Sequence, residues 1–343
     1  MQRCLELARL GFGWVAPNPM VGCVIVHNNK IIGEGWHQKF GGAHAEVNAI
    51  NSVNDKSLLP ESILYVSLEP CCHFGKTPPC TNLIIEYGIK HVVVAMVDPN
   101  PLVAGKGIQI LKQAGVIVET NVLEEEARFL NRRFIHFINN KKPYVILKWA
   151  QTINGMLGPD ASKVSKDQFE AERHITGRIV QKLVHKWRTC EDAIMIGTNT
   201  AITDNPSLNS REWGSIKNTF RIVLDRKLKL YHTLKIFDNS QPTIIVNEIE
   251  NKQQGQTSYL KINFNEQLLD ELLSYLYGIN IQSLVVEGGA VLLNSFFKNQ
   301  LAQEAIVFTS PQHINNGIKA PDFSGKAVYS TTIDGVTLTQ YTL

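Results

Sequence analysis

The chain has 343 residues, 44% of them hydrophobic and 19% charged, and carries a formal net charge of +3. That length suits two domains of ordinary size, and the composition is that of a folded globular protein, which excludes a disordered one. The charge is far from the dense Lys/Arg stripe of a duplex-binding protein, and no apolar run approaches the roughly 18–20 residues of a membrane span.

The opening segment, MQRCLELARLGFGW, spaces Leu5, Ala8 and Leu10 among charges and reads as an amphipathic helix, not a signal peptide. Without an export signal, the six cysteines (Cys4, Cys23, Cys71, Cys72, Cys80 and Cys190) favour thiol or metal chemistry in the cytoplasm over a disulfide framework. Residues 20–27 (MVGCVIVH) form a β-branched strand, followed by an Asn28-Asn29 turn and a second strand, IIGEGWH. Helix is predicted at 45–53, strand at 63–67, helix at 81–87 up to Gly88, and strand at 91–96. A helix at 107–114, a strand at 116–120 and a closing helix at 124–138 follow. Pro143, after the polar stretch 139–142, cannot continue that helix and marks a linker.

A second alternating series occupies 143–343. Strands are predicted at 144–149, 193–196, 221–224, 243–246, 283–287 and 304–309, with helices at 175–188, 268–277 and 290–297. Strands alternating with helices give an α/β class, with helices packed on sheet faces. The chain is therefore expected to hold two α/β domains, 1–140 and 143–343.

The sharpest motif is His44-Ala45-Glu46, followed by Glu69-Pro70-Cys71 and, nine positions after Cys71, Cys80. A catalytic zinc takes three protein ligands and keeps one position for water, and a histidine with two thiolates supplies such a set. Hydrolytic deamination also needs a carboxylate beside the metal to move protons, and Glu46 sits at a helix start suited to that role. A lone H-x-E is more often a surface pair, and a structural zinc would need four closing ligands. Cys72 and His73 are further candidate ligands outside the pattern.

These residues resemble the cytidine-deaminase superfamily, whose signature is H-x-E with a later P-C-x-x-C. Here the second pair is stretched to Cys71-x8-Cys80. With that stretch (LEPCCHFGKTPPC), residues 17–22 (PNPMVG), 33–37 (GEGWH) and 98–101 (DPNP), the chain resembles the bacterial bifunctional riboflavin-biosynthesis deaminase–reductases. The resemblance implies a cytidine-deaminase-like three-layer domain that removes the 2-amino group of a diaminopyrimidinone bearing ribosylamino 5-phosphate. It implies zinc on His44, Cys71 and Cys80, Glu46 as proton shuttle, and substrate contacts from Asn18, His37, Lys76, Asp98 and Asn100. Asn and Asp suit a pyrimidine edge, while Lys76 and His37 suit a phosphate.

The second half holds no metal motif. Its best feature is the strand 285–287 running into Gly288-Gly289 and a helix, a turn at which backbone N–H groups approach a phosphate. G-x-G-x-x-G is absent, so a Rossmann fingerprint is not supported, and a plain tight turn explains the glycine pair as well. The other feature is a loop at 197–211 (GTNTAITDNPSLNSR), rich in hydroxyls and amides. By resemblance to the reductase half of the same family, this domain is dihydrofolate-reductase-like and uses NADPH. Ala150, His174, Thr200, Asp204, Gly288, Gly289 and Ala290 would line the cofactor site. Arg188, Leu208, Arg211 and Glu287 would hold the sugar phosphate and pyrimidine, the arginines through forked donors. Three segments depart from the family: the charged 159–173, His174-Ile175-Thr176 in place of Trp-Ile-Thr, and 311–317 (PQHINNG), which lacks Leu-Gly-Gly.

The reading is thus a cytoplasmic zinc- and NADPH-dependent enzyme of riboflavin synthesis acting on a small phosphorylated pyrimidine, as a homo-oligomer, without nucleic-acid or membrane partners. Its rivals are a zinc deaminase with a degenerate second half, a nucleic-acid base deaminase, and a zinc-stabilised binding module. Modest charge and the lack of a basic–aromatic platform weigh against nucleic acid.

Overall fold

Along the strand Gly22–His27, Cys23 and Ile25 enter one apolar cluster and Val24 another, the period-two alternation of a strand covered on both faces. A computed structural model of the chain describes residues 1–73, 78–101, 103–210, 213 and 219–343. It divides into two units, Met1–Lys142 and Pro143–Leu343.

The first unit runs α1 (Gln2–Arg9), β1 (Gly22–His27), β2 (Lys30–Trp36), α2 (Ala45–Ser52), β3 (Ile63–Val66), α3 (Cys80–Glu86), β4 (His91–Val94), α4 (Lys106–Gln113), β5 (Ile117–Glu119), α5 (Glu124–Leu130) and α6 (Arg132–Asn140). Its sheet has the order β2-β1-β3-β4-β5. β1 is antiparallel to both neighbours, whereas β3, β4 and β5 are parallel. The hairpin turns on Asn28 and Asn29, both at positive φ (48° and 60°), as a two-residue hairpin loop demands. Residues of α2, α3 and α4 (Ala49, Ile50, Ile84, Leu111) share one cluster, and residues of α1 and α5 (Leu5, Ala8, Ala127, Leu130) share another. The expected three layers are present. Gly35 of β2 sets the placement of α2: a Cβ there would lie 2.2 Å from the Ala49 nitrogen, so the helix backbone rests directly on the sheet.

One element differs from expectation. The single helix predicted at 124–138 is two helices, broken at Asn131, whose buried side chain takes the Met20 N–H at 2.8 Å and donates to the Met20 carbonyl at 2.9 Å. A short amide that bonds backbone elsewhere favours a helix break, and here it pins the segment leading into β1.

The second unit runs β6 (Tyr144–Thr152), β7 (Met156–Pro159), α7 (Lys166–Glu172), α8 (Arg178–Arg188), β8 (Ala193–Gly197), α9 (Thr198–Asp204), β9 (Phe220–Leu224), β10 (Thr243–Asn247), β11 (Lys252–Gln254), β12 (Thr257–Lys261), α10 (Leu268–Gly278), β13 (Ser283–Glu287), α11 (Ala290–Lys298), β14 (Glu304–Ser310), β15 (Gly317–Lys319), β16 (Lys326–Ile333) and β17 (Val336–Thr342). Ten strands form one sheet, β11-β12-β10-β9-β8-β13-β6-β14-β17-β16, parallel from β12 to β14; β7 and β15 pair separately. On β8, Ala193 and Met195 face the cluster that includes Leu272 and Phe296, while Ile194 and Ile196 face the opposite one. Two expectations are corrected. The loop predicted at 197–211 opens with α9, and the helix predicted from 175 begins at Arg178 because Gly177 is its extended N-cap (ψ 175°).

Candidate active sites

In the first unit, α2 and α3 bring the metal motif together. His44 is the extended N-cap of α2, and Cys80 is the first residue of α3. His44 Nδ1 lies 3.4 Å from Cys71 Sγ and 3.3 Å from Cys80 Sγ, and the three ligand atoms all fall within 4.8 Å of one another. Tetrahedral zinc with ordinary Zn–N and Zn–S bonds spaces such atoms about 3.6 Å apart, so the donor set fits the ion in geometry and in kind. Among the described residues the cluster stops at these three; Cys72 and His73 are not in it. The Cys80 backbone N–H points at Cys71 Sγ at 3.3 Å. The hydrogen bond with Cys80 and the contact with His44 overcome burial and hold the Cys71 thiol down to about 4, while Cys80 is pushed above its usual range.

Glu46 lies in the first turn of α2 and is 3% exposed. Burial, and then the Cys71 charge, push its carboxyl up to about 7. A buried carboxyl poised between its two states beside a metal site is suited to carrying protons.

The residues expected to read the pyrimidine lie in the same unit. Asn18 Nδ2 is 3.1 Å from His37 Nε2, and His37 Nδ1 is 3.0 Å from the Ala43 carbonyl. His37 is 3% exposed, and burial lowers its pKa. The bonding pattern makes it a neutral ring that donates to Ala43 and accepts from Asn18, a support for Asn18 more than a charged phosphate ligand. Asp98 follows β4; burial raises its carboxyl to about 6, and its Oδ1 accepts the Asn100 N–H at 2.8 Å. Lys76 lies outside the described residues.

In the second unit, the carboxyl ends of the parallel strands carry the candidate residues, where open α/β sheets bind ligands. Arg188 at the end of α8 grips Glu287 at the end of β13 with two bonds, 3.1 Å from Nε and 2.6 Å from Nη2. Lys148 of β6, opposite Glu287 in the register, brings its Nζ to 3.8 Å. Burial alone would raise the Glu287 carboxyl, but Arg188 and Lys148 outweigh it and hold the group at about 2. The same burial lowers the Lys148 pKa against the pull of Glu287. Arg188, Lys148, Ala150, Thr176, Gln181 and Phe308 are among the residues lining a cavity of about 220 Å³. Sequence reading missed Lys148. Its signal was a lysine inside the apolar strand YVILKWA, a position where a charge needs a partner.

Thr200 Oγ1 accepts the N–H of Gly289, the N-cap of α11, at 3.1 Å, which joins Thr200, Gly288, Gly289 and Ala290 into one turn. A Cβ on Gly288 or Gly289 would meet nothing nearer than 3.5 Å. No protein neighbour demands these glycines, so their bareness keeps open the surface in front of α11, a fit for a phosphate-bearing cofactor. Asp204 at the end of α9 accepts from Arg173 at 3.3 Å; burial raises its pKa, with Arg173 and His174 opposing. The Leu208 side chain is core, packed in a cluster with Ile194 and Val223, so any contact it makes to a ligand runs through its backbone. Arg211 lies outside the described residues.

Residues 1–96 match the family "Cytidine and deoxycytidylate deaminase zinc-binding region", and residues 143–320 match "RibD C-terminal domain". The chain is therefore a two-domain enzyme that joins a zinc-binding deaminase domain to a reductase domain. It is 38% identical to the Aquifex aeolicus riboflavin biosynthesis protein RibD over 335 residues, spanning 96% of this chain and 90% of that one. The Actinobacillus pleuropneumoniae RibD is 37% identical over 96% of this chain and 87% of its own. Among solved structures, a Thermotoga maritima diaminohydroxyphosphoribosylaminopyrimidine deaminase/5-amino-6-(5-phosphoribosylamino)uracil reductase superposes with TM-score 0.88 at 34% identity, covering 100% of this chain and 97% of that one. The chain belongs to the RibD family of bifunctional riboflavin-biosynthesis proteins, whose reductase domain is NADPH-dependent. Among the described residues no helix is long and apolar enough to cross a membrane.

Proposed function

We propose that the chain deaminates diaminohydroxyphosphoribosylaminopyrimidine in unit 1–142 and reduces 5-amino-6-(5-phosphoribosylamino)uracil in unit 143–343, the two activities named for the Thermotoga maritima relative. The observation that carries the first half is the three-ligand cluster with buried Glu46 next to it. His44, Cys71 and Cys80 hold zinc, which when bound supplies hydroxide near neutral pH. Glu46 takes a proton from the attacking water and passes it to the ring nitrogen. It then carries a second proton to the amino group, which departs as ammonia as the carbon–nitrogen bond breaks and a carbon–oxygen bond remains. Asn18, held by His37, and Asp98 with Asn100 orient the pyrimidine, and Lys76 meets the phosphate.

In the second unit, NADPH when bound would supply hydride for the first carbon of the sugar, whose bond to the ring oxygen breaks as that oxygen takes a proton from water. Thr200, Gly288, Gly289 and Ala290 hold the NADPH phosphates, and Ala150, His174 and Asp204 complete the cofactor site. Lys148, Arg188 and Glu287 present fixed charges to the pyrimidine, with Leu208 and Arg211 completing the substrate site; the Arg188–Glu287 pair keeps those charges in place while water is displaced. Six cysteines, none of them in a disulfide, suit the cytoplasm. A homo-oligomer is favoured by the exposed Val328 and Tyr329 on edge strand β16, and light scattering should give a multiple of one chain's mass.

Glu46→Gln tests the first half. We expect about one zinc per chain to be retained while ammonia release falls about a thousandfold. Ammonia release at the original rate would remove Glu46 from the mechanism.

A further inference from the structure

The start of α4 has an unusual cap. Its N-cap is Gly105, at φ 77°, which has no side chain to bond the exposed N–H groups of the first turn. A carboxylate from another element takes that place. Glu69, 3% exposed and two residues before Cys71, accepts with Oε1 from Gly107 N–H (2.9 Å) and Ile108 N–H (3.2 Å). Its Oε2 accepts from Gly105 N–H (2.9 Å) and Asp98 N–H (3.2 Å). Four backbone donors therefore converge on one buried side chain, whose charge also suits the positive end of the helix. Two further bonds bracket the arrangement: Glu69 N–H donates to the Met96 carbonyl (3.0 Å), and Asn100 N–H donates to Asp98 Oδ1 (2.8 Å). Gly107 is bare for the same reason, since a Cβ there would lie 2.1 Å from the Pro70 carbonyl oxygen and 3.2 Å from Glu69 Oε1.

We propose that Glu69 is a positioning residue of the deaminase site, tying the strand end that carries the metal ligand Cys71 to the Asp98–Asn100 turn and the start of α4. It touches neither metal nor pyrimidine. It fixes the distance between the part of the site that does the chemistry and the part that recognises the ring. The inference rests on reading Asp98 as a pyrimidine contact. Glu69→Gln keeps the shape but replaces one oxygen by an amide N–H facing two N–H donors, so the turn shifts and recognition weakens.

The test is a double-mutant cycle on the full-length zinc-loaded protein, comparing wild type, E69Q, D98A and E69Q/D98A. Ammonia release gives KM and kcat, and NADPH-dependent reduction of the deaminated pyrimidine serves as a control on folding in the same chain. We expect E69Q to raise the deaminase KM about tenfold, the cost of one weakened set of buried hydrogen bonds, with zinc content and reduction unchanged and the smaller change in kcat. In the D98A background the same exchange should change KM less than about twofold, because residues acting through one another are not additive. An equal KM effect in both backgrounds overturns the proposal. A raised KM in D98A with an unchanged KM in E69Q leaves Asp98 as a ligand contact and removes Glu69; an unchanged KM in D98A removes the Asp98 reading and the proposal with it. Should E69Q lose zinc or reduction, E69D decides, since it keeps the carboxylate but draws it back from the N–H groups at the start of α4. A raised KM there supports the proposal, and an unchanged one overturns it.

Discussion

The two sites hold buried charge in opposite ways. In the first unit, two sulfurs and an imidazole gather within 4.8 Å, a donor set of the kind that takes a metal ion, and burial pushes the neighbouring Glu46 carboxyl up to about 7. The second unit completes its charges from within. Lys148 and Arg188 flank Glu287 and hold its carboxyl at about 2. The first site is built from metal-binding donors, whereas in the second the side chains pair with one another and leave one net positive charge beside a cavity. Metal should therefore govern the first chemistry alone, and side-chain charge the second.

That contrast can be broken at the second site most forcefully with Glu287→Ala. Removing one partner of a buried ion group leaves uncompensated charge, and we expect a loss of about 3–5 kcal/mol in the second unit. Urea unfolding should show the loss and reduction should vanish, while deamination continues. Equal loss of both activities would mean that the units do not work separately.

A somewhat smaller effect is expected from acid. The Glu287 pKa falls from an ordinary 4.5 to about 2 on folding, so its contribution is complete above about pH 4.5 and is lost as the pH drops through about 2. The shift corresponds to about 3 kcal/mol. The stability advantage of wild type over Glu287→Gln should therefore shrink between pH 4.5 and pH 2, and an advantage that stays constant over that range would contradict the ion group as described.

The smallest change should follow Lys148→Met, which keeps the stem's packing and leaves the bidentate Arg188–Glu287 pair intact. Stability should stay within about 1 kcal/mol, while reduction falls at least about tenfold in kcat/KM through loss of a fixed charge facing the substrate. Unchanged reduction would remove Lys148 from the site and sharpen the role of Arg188.

The same contrast explains what the sequence could tell. His44 and Glu46 are two positions apart at one helix start, and Cys71 and Cys80 are nine apart, so the first site was legible as spacing. The strands of the first unit were legible too, because β1 and β4 are dense in β-branched residues. The second site draws on β6, α8 and β13, with Lys148, Arg188 and Glu287 far apart in the chain, and no local spacing records that they meet. Arg188 and Glu287 were picked out singly as ligand contacts, but their mutual grip was not visible, nor was Lys148. Asn131 was hidden for a related reason: its partner, Met20, is distant in sequence, so the helix break it causes had no local sign. Glu69 stood in plain view inside the L-E-P-C motif, but its work is done on backbone N–H groups, which leave no residue signature.

The most direct test of the two-chemistry account is metal removal followed by separate assays on one preparation. After chelation of zinc from the purified chain, ammonia release from the diaminopyrimidine should cease and return on adding zinc. NADPH oxidation with the deaminated pyrimidine supplied should persist throughout. Ammonia release from metal-free protein, or reduction that falls with zinc content, would contradict the account.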